Sequence, residues 1–331
     1  MRKTSLHIAL LSILFFCLPK ETRGQQDHLM THYMNNPLIL NPAYAGNRNS
    51  IAIDVYSRQQ WSGFDGAPSS YYGGIHAPVN NSMASIGGTL YSDHAGPVMN
   101  NRLSFDYAYM VRTSRRSFLS LGLRAGMSHL NIGLDKLDLI DSEDPAFQQG
   151  IHNEFRPSTG FGLVFLRPAW FFGASFPHLP FTEVPWASDM AEDYSHPGQY
   201  ILSGGFYFHP TNELTVKMTG MHRIRETGPP VTDVGIQARY IERFRASANF
   251  RPARAASLVL GMQIHPTMGV SYAVEVPMDR LEGRAGFLNH EISLTFDFTE
   301  YIKPNRNRRF LKKRSREEDS EEEPMNSIRY F

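Results

Sequence analysis

Asp138, Asp141, Glu143 and Asp144 are four of the five carboxylates in the stretch "GLDKLDLIDSEDPAFQQG" (residues 133–150). In this chain they are the best candidates for general acid–base work, and oxygen-rich loops also hold divalent cations. A charge-rich loop is more simply a solvated surface, on which Asp138, Asp141 and Asp144 are placed to meet a cation or a protein partner. The thirteen histidines are scattered and form no His-Glu-x-x-His pair. No phosphate-binding glycine loop, zinc-ligand spacing or nucleophile elbow occurs. These residue types point to binding. No catalytic residue, metal or cofactor is expected.

The loop is carried by strands. In "HEISLTFDF" (290–298), Ile292, Leu294, Phe296 and Phe298 share one face, and Glu291, Ser293, Thr295 and Asp297 share the other. Strict period two is a strand signature. In "RLSFDYAYMV", Leu103, Phe105, Tyr107, Tyr109 and Val111 oppose Arg102, Ser104, Asp106, Ala108 and Met110. The pattern predicts fourteen strands: about 50–61, 69–77, 83–92, 99–111, 117–131, 156–166, 169–177, 199–208, 212–222, 231–241, 243–251, 255–264, 267–276 and 288–298. Their polar faces mix both signs, with Arg124, Lys217, Arg239, Arg245, Arg251, Glu275, Glu291 and Asp297.

A soluble β-sandwich alternates too. Two features favour a membrane barrel. The segments run close to the nine to eleven residues that cross a bilayer at a tilt. The connections also alternate in length. Longer ones are Ser62–Pro68, Asp93–Val98, Ile132–Phe155, His178–Gly198, Arg223–Pro230 and Pro277–Phe287, and tight ones include Arg112–Arg116, Arg167-Pro168 and His265-Pro266. Long outer loops and short periplasmic turns are the pattern of an up-and-down barrel. Pro252–Arg254 is the exception. An even strand count predicts that both termini are periplasmic. Tyr56, Trp61, Tyr71, Tyr72, Tyr91, Tyr109, Trp170, Phe171, Phe172, Tyr207, Phe208 and Tyr240 lie near strand ends, where an interfacial girdle is expected.

The flanks differ from this core. Arg2 and Lys3 precede an apolar run from Ile8 to Leu18, followed by Thr22-Arg23-Gly24, so residues 1–24 read as a signal peptide. The lone Cys17 lies inside it, which predicts an exported mature chain without disulfides. The expected division is a leader (1–24), an extended N-terminal segment (25–49), an outer-membrane β-barrel (50–300) and a charged tail (301–331). That tail is basic through Arg316 and acidic from Glu317, as solvated disordered segments are. The net charge of +1 offers no argument for any partner, and nucleic acid is not expected.

The segment before the first strand carries two Asn-Pro steps in "YMNNPLILNPAYAG" (33–46). Proline removes a donor and restricts its predecessor, so neither Asn36-Pro37 nor Asn41-Pro42 is expected inside a regular element. This stretch, with Arg58-Gln59-Gln60-Trp61, Gly66-Ala67-Pro68 and the closing "NHEISLTFDF", resembles the PorP/SprF family across about residues 25–300. The resemblance implies an outer-membrane component of the type IX secretion system of gliding and pathogenic Bacteroidota. Its implied role is to support secretion or surface anchoring of adhesins and other sorting-domain proteins, with contacts to periplasmic ring and motor proteins. It implies no catalytic residues. Asn36, Pro37, Leu38, Asn41, Pro42, Tyr44 and Trp61, with the three loop aspartates, are the candidate partner-binding residues. The segment either seals the barrel floor, with Leu38, Ile39, Leu40 and Tyr44 against the inner wall, or enters the lumen as a plug, or offers a docking strip. An open lumen would instead make a porin-like channel for small solutes or ions.

Overall fold

The burial pattern is inverted relative to a soluble protein. Phe105 is 64% exposed, while Ser104 and Asp106 beside it are 4% and 3% exposed. Leu123 is 62% exposed between Gly122 and the buried Arg124. A strand that shows its apolar side chains outward and buries its charges needs lipid outside and a polar interior. That removes the soluble sandwich.

The computed structural model describes residues 30–48, 50–64, 66–79, 82–133, 151–178, 198–225, 228–278 and 287–298. The strands are β1 (Ile51–Gln59), β2 (Ser69–Pro78), β3 (Ala84–Ala95), β4 (Val98–Ser114), β5 (Ser117–Gly133), β6 (Ile151–Leu166) and β7 (Trp170–Phe176). They continue as β8 (Gln199–Phe208), β9 (Leu214–Arg225), β10 (Val231–Tyr240), β11 (Phe244–Arg251), β12 (Ala255–His265), β13 (Met268–Pro277) and β14 (Asn289–Phe298). Each pairs antiparallel with its chain neighbours in one closed barrel of fourteen strands. The seam joins β1 to β14, from Ile51 opposite Phe298 to Gln59 opposite His290. Among the described residues no helix is long and apolar enough to cross a membrane.

Closure defines two rims. The turn rim holds the connections β2–β3, β4–β5, β6–β7, β8–β9, β10–β11 and β12–β13, together with Ile51 and Phe298. The loop rim holds the others. The expected loop between Asp93 and Val98 is instead a tight turn at Gly96-Pro97, because β3 and β4 continue pairing through Ala95 and Val98. Gly96 takes a φ of +57°, which the turn requires and glycine adopts at least cost. β4 and β5 reach seventeen residues each, against the expected segments 99–111 and 117–131, whereas β7 has seven.

The aromatic girdle is corrected in part. Tyr71, Tyr109, Phe172, Phe208 and Tyr240 face outward, but Tyr56, Tyr72, Phe171 and Tyr207 are 2–6% exposed and point into the lumen. The leader, the charged tail, and Asp138, Asp141, Glu143 and Asp144 lie outside the described residues.

Leu123 lies near the middle of β5 and faces lipid. Leu123→Arg is expected to destabilise the barrel by about 2–4 kcal/mol, the usual cost of a cation near the midplane. Denaturant unfolding in lipid vesicles measures this, and Leu123→Ala should cost less.

Candidate functional site

The lumen is occupied by the chain's own residues 30–48. Local chemistry shapes this segment. Thr31–Met34, Pro37–Ile39 and Pro42–Tyr44 each form a short 3-10 turn. The Asn-Pro steps do not interrupt regular structure, as expected from the sequence, but start it. The side chain of Asn36 accepts from the Leu38 N–H (3.2 Å) and that of Asn41 from the Ala43 N–H (2.9 Å). In both cases proline follows at the first position of the turn, where it has no hydrogen bond to lose.

Near the loop rim, ion pairs grip the first turn. The Thr31 N–H donates to Glu291 (2.8 Å), and His32 Nδ1 lies 2.8 Å from the same carboxylate. Arg58 bonds both Glu291 and Glu275, the latter at 2.6 Å. Arg251 bridges Asp233 (3.1 Å) and Glu275 (3.2 Å), and the Tyr33 hydroxyl donates to Asp233 (2.6 Å). Every carboxylate in this cluster has a cation beside it, which buried charge demands.

Midway down, Arg124 holds Asp106 through two bonds, of 2.7 and 3.1 Å. The same guanidinium donates to the Leu38 and Ile39 carbonyls at 2.8 and 3.3 Å. Its planar fork thereby satisfies a wall carboxylate and the plug backbone together. Lys217 donates to the Met34 carbonyl (3.0 Å), Ser175 to that of Leu40 (2.8 Å) and Ser120 to that of Ala43 (2.7 Å). The Asn41 amide donates outward to the Leu163 and Ala174 carbonyls of β6 and β7. Toward the turn rim Tyr44 packs in an apolar cluster with Phe118, Val164, Leu166 and Phe171. Arg48 then pairs with Asp54 (3.0 Å) just before β1 begins.

The wall is thinned to admit the segment. A Cβ on Gly122 would sit 2.2 Å from the Ala43 nitrogen, and one on Gly162 would sit 2.0 Å from Asn41 Oδ1. One cavity between plug and wall measures about 30 Å³, bounded by Tyr33, Leu40, Tyr44, Phe171 and Lys217 among others. That is room for a water, not for a solute.

The structure thus brings Asn36, Pro37, Leu38, Asn41, Pro42 and Tyr44 together inside the lumen, where all but the half-buried Pro37 are buried. While seated, they face the wall. Trp61 is elsewhere, on the loop rim, where its backbone N–H donates to Asn289 (3.1 Å) and its ring meets Phe64 edge-on. The part played by Thr31, His32 and Arg58 was missed from sequence. A usable signal was Arg58 sharing the inward parity of Asp54 and Tyr56. Among the described residues no group of three His, Cys, Asp or Glu side chains could hold a metal ion.

Gly162→Val drives a side chain into Asn41. Hydrogen–deuterium exchange should rise across residues 36–45, while exchange in β12 and β13, remote from the clash, stays as in the parent.

Residues 22–296 match the family described as type IX secretion system membrane protein PorP/SprF. No match is found among curated protein sequences. Among solved structures, the CymD monoaromatic hydrocarbon channel is similar at 13% identity and a TM-score of 0.51, over 83% of this chain and 95% of that one. A FadL homologue of Pseudomonas aeruginosa aligns at 11% identity and 0.49, over 80% and 94%. The KdgM porin aligns at 8% and 0.37, over 75% and 99%. At such identities the CymD likeness speaks to the barrel fold alone. With the family matched over most of its length, the chain belongs to the PorP/SprF family of type IX secretion system membrane proteins.

Proposed function

We propose that this barrel is an accessory of type IX secretion that supports the export or surface anchoring of large adhesins and sorting-domain proteins. In this reading the loop rim faces outward and meets the cargo. The turn rim and the charged tail face the periplasm and meet the ring and motor components of the machine. The observation that carries the reading is the filled lumen. A barrel whose interior is bonded to its own segment at the loop rim, the middle and the turn rim acts through its ends, not through its bore.

Support also comes from the length asymmetry of the rims. The β5–β6 and β7–β8 connections are the longest, and both belong to the loop rim. The first of them contains Asp138, Asp141 and Asp144, which would give it an acidic face toward a partner. Porin-like conduction, the competing reading, requires the segment to leave the lumen and its buried charges to find water.

Two measurements test this. Purified protein in planar bilayers should show no sustained large conductance, and a stable open channel would overturn the scaffold reading. Replacing residues 134–150 with a two-residue turn should abolish surface retention of the cargo while the barrel keeps its heat-modifiable migration. Retention at the parental level removes the cargo role from this loop.

A further inference from the structure

The turn rim is not uniform in charge. The β4–β5 turn carries Arg112, Arg115 and Arg116, and the neighbouring β6–β7 turn carries Arg167, all four exposed. No carboxylate lies in residues 109–120 or 163–172 around them. Farther round the same rim, Glu213 and Glu242 stand in the β8–β9 and β10–β11 turns, the second of them next to Arg243. Register sets the four arginines at one level. Arg112 is opposite Phe118, and Phe118 is opposite Leu166. Arg116 and Arg167 follow that line by two residues and one, toward the rim. Turns on adjacent strand pairs are centred about 10 Å apart, twice the strand spacing.

The patch borders the lipid-facing belt. On its membrane side Tyr109 and Val111 of β4 face outward, 46% and 40% exposed. The Phe165 and Trp170 rings lie 5.4 Å apart there, and the Arg167 guanidinium sits 5.8 Å over the Trp170 ring. Aromatic rings of this kind mark the headgroup level of a bilayer. Arg112 is folded over its own turn, donating to the Ser114 carbonyl (3.0 Å) and to that of Arg115 (3.3 Å). Beside it opens a groove of about 210 Å³, lined by Met83, Tyr109, Met110, Val111 and Arg112. An acidic protein segment could meet the arginines, but it has no use for an apolar groove at the edge of the lipid belt. A phospholipid uses both.

We propose that this part of the turn rim is a binding site for an anionic phospholipid. An acyl chain lies in the groove against Tyr109 and Val111, and the phosphate sits among Arg112, Arg115, Arg116 and Arg167. Guanidinium groups suit a phosphate oxygen by charge and by planar geometry, and an uncompensated basic cluster at the membrane surface selects anionic lipid. The bound lipid fixes the depth and tilt of this side of the barrel, whatever cargo the loop rim serves.

Native mass spectrometry of the purified full-length barrel tests the site. The protein is loaded in micelles with equal amounts of phosphatidylglycerol and phosphatidylcholine of matched chains, and the retained lipids are counted. Heat-modifiable migration verifies the barrel in every variant. The parent should retain phosphatidylglycerol in preference. Replacing Arg115, Arg116 and Arg167 together by Gln should lower that preference on the order of tenfold, while Arg243→Gln, farther round the rim, leaves it as in the parent. Val111→Trp, which fills the groove and keeps the arginines, should lower retention of phosphatidylglycerol. Equal retention of the two lipids by the parent, or parental retention in the triple or the Val111→Trp variant, overturns the proposal. So does a Glu-Asp peptide that displaces the lipid from the parent and fails to bind the triple variant, since it assigns the arginines to a protein partner.

Discussion

A closed sheet of fourteen strands encloses more space than its own inward side chains fill. Barrels of about eight strands pack their interiors solid, and much larger ones leave water inside. This chain lies between, and it fills the difference with nineteen of its own residues, Met30 to Arg48. Most other features follow from that demand. The plug has to be narrow, so it runs as three single 3-10 turns instead of a helix, whose diameter with side chains is about 10–12 Å. The carbonyls of Met34, Leu38, Leu40 and Ala43, which its 3-10 turns leave over, take Lys217, Arg124, Ser175 and Ser120 from the wall.

The wall's charges are best understood as part of this filling. Isolated from water, Asp106, Asp233, Glu275 and Glu291 would each be costly. They are tolerated because arginines lie beside them and because, at Asp233, Glu275 and Glu291, plug donors add further hydrogen bonds. Glu291 shows this most fully, with Arg58, His32 and the Thr31 N–H on one carboxylate. Removing one member of such a cluster leaves a buried charge unpaired, typically a loss of 3–5 kcal/mol. The arrangement favours a seated plug over a loosely held one.

Period two carried most of the fold in advance, since alternation over nine to fifteen residues has few alternative explanations. The β3–β4 turn was hidden because Asp93 to Val98 reads Asp-His-Ala-Gly-Pro-Val, and its central Gly-Pro fits a loop as well as a tight turn at two strand ends. Tyr56 and Tyr72 were assigned to the interface by their place near strand ends. Their parity was the better guide, because Tyr56 shares its face with Asp54 and Arg58, and Tyr72 shares its face with His76. The plug's stiffness was legible in its prolines, and its destination was among the readings the sequence left open. Its direction was not, because 3-10 turns have no periodicity and the partners lie up to 260 residues away in the chain. The inward glycines Gly122 and Gly162 were the overlooked sign of a wall making room.

The contacts at the loop rim also link the plug to barrel closure. Arg58 on β1 and Glu291 on β14 are register partners across the seam. The same carboxylate receives the Thr31 N–H and His32. Closing the last pair of strands therefore assembles the site that holds the first turn, and seating that turn adds bonds to the pair that closes the sheet. A segment threaded from one rim to the other cannot enter easily once the seam has zipped, because the β5 and β6 wall stands close against it at Gly122 and Gly162. The geometry is most economically reached if the sheet wraps around the segment. Plug and seam then form one cooperative unit, and an open, empty barrel is not an intermediate that folding must visit.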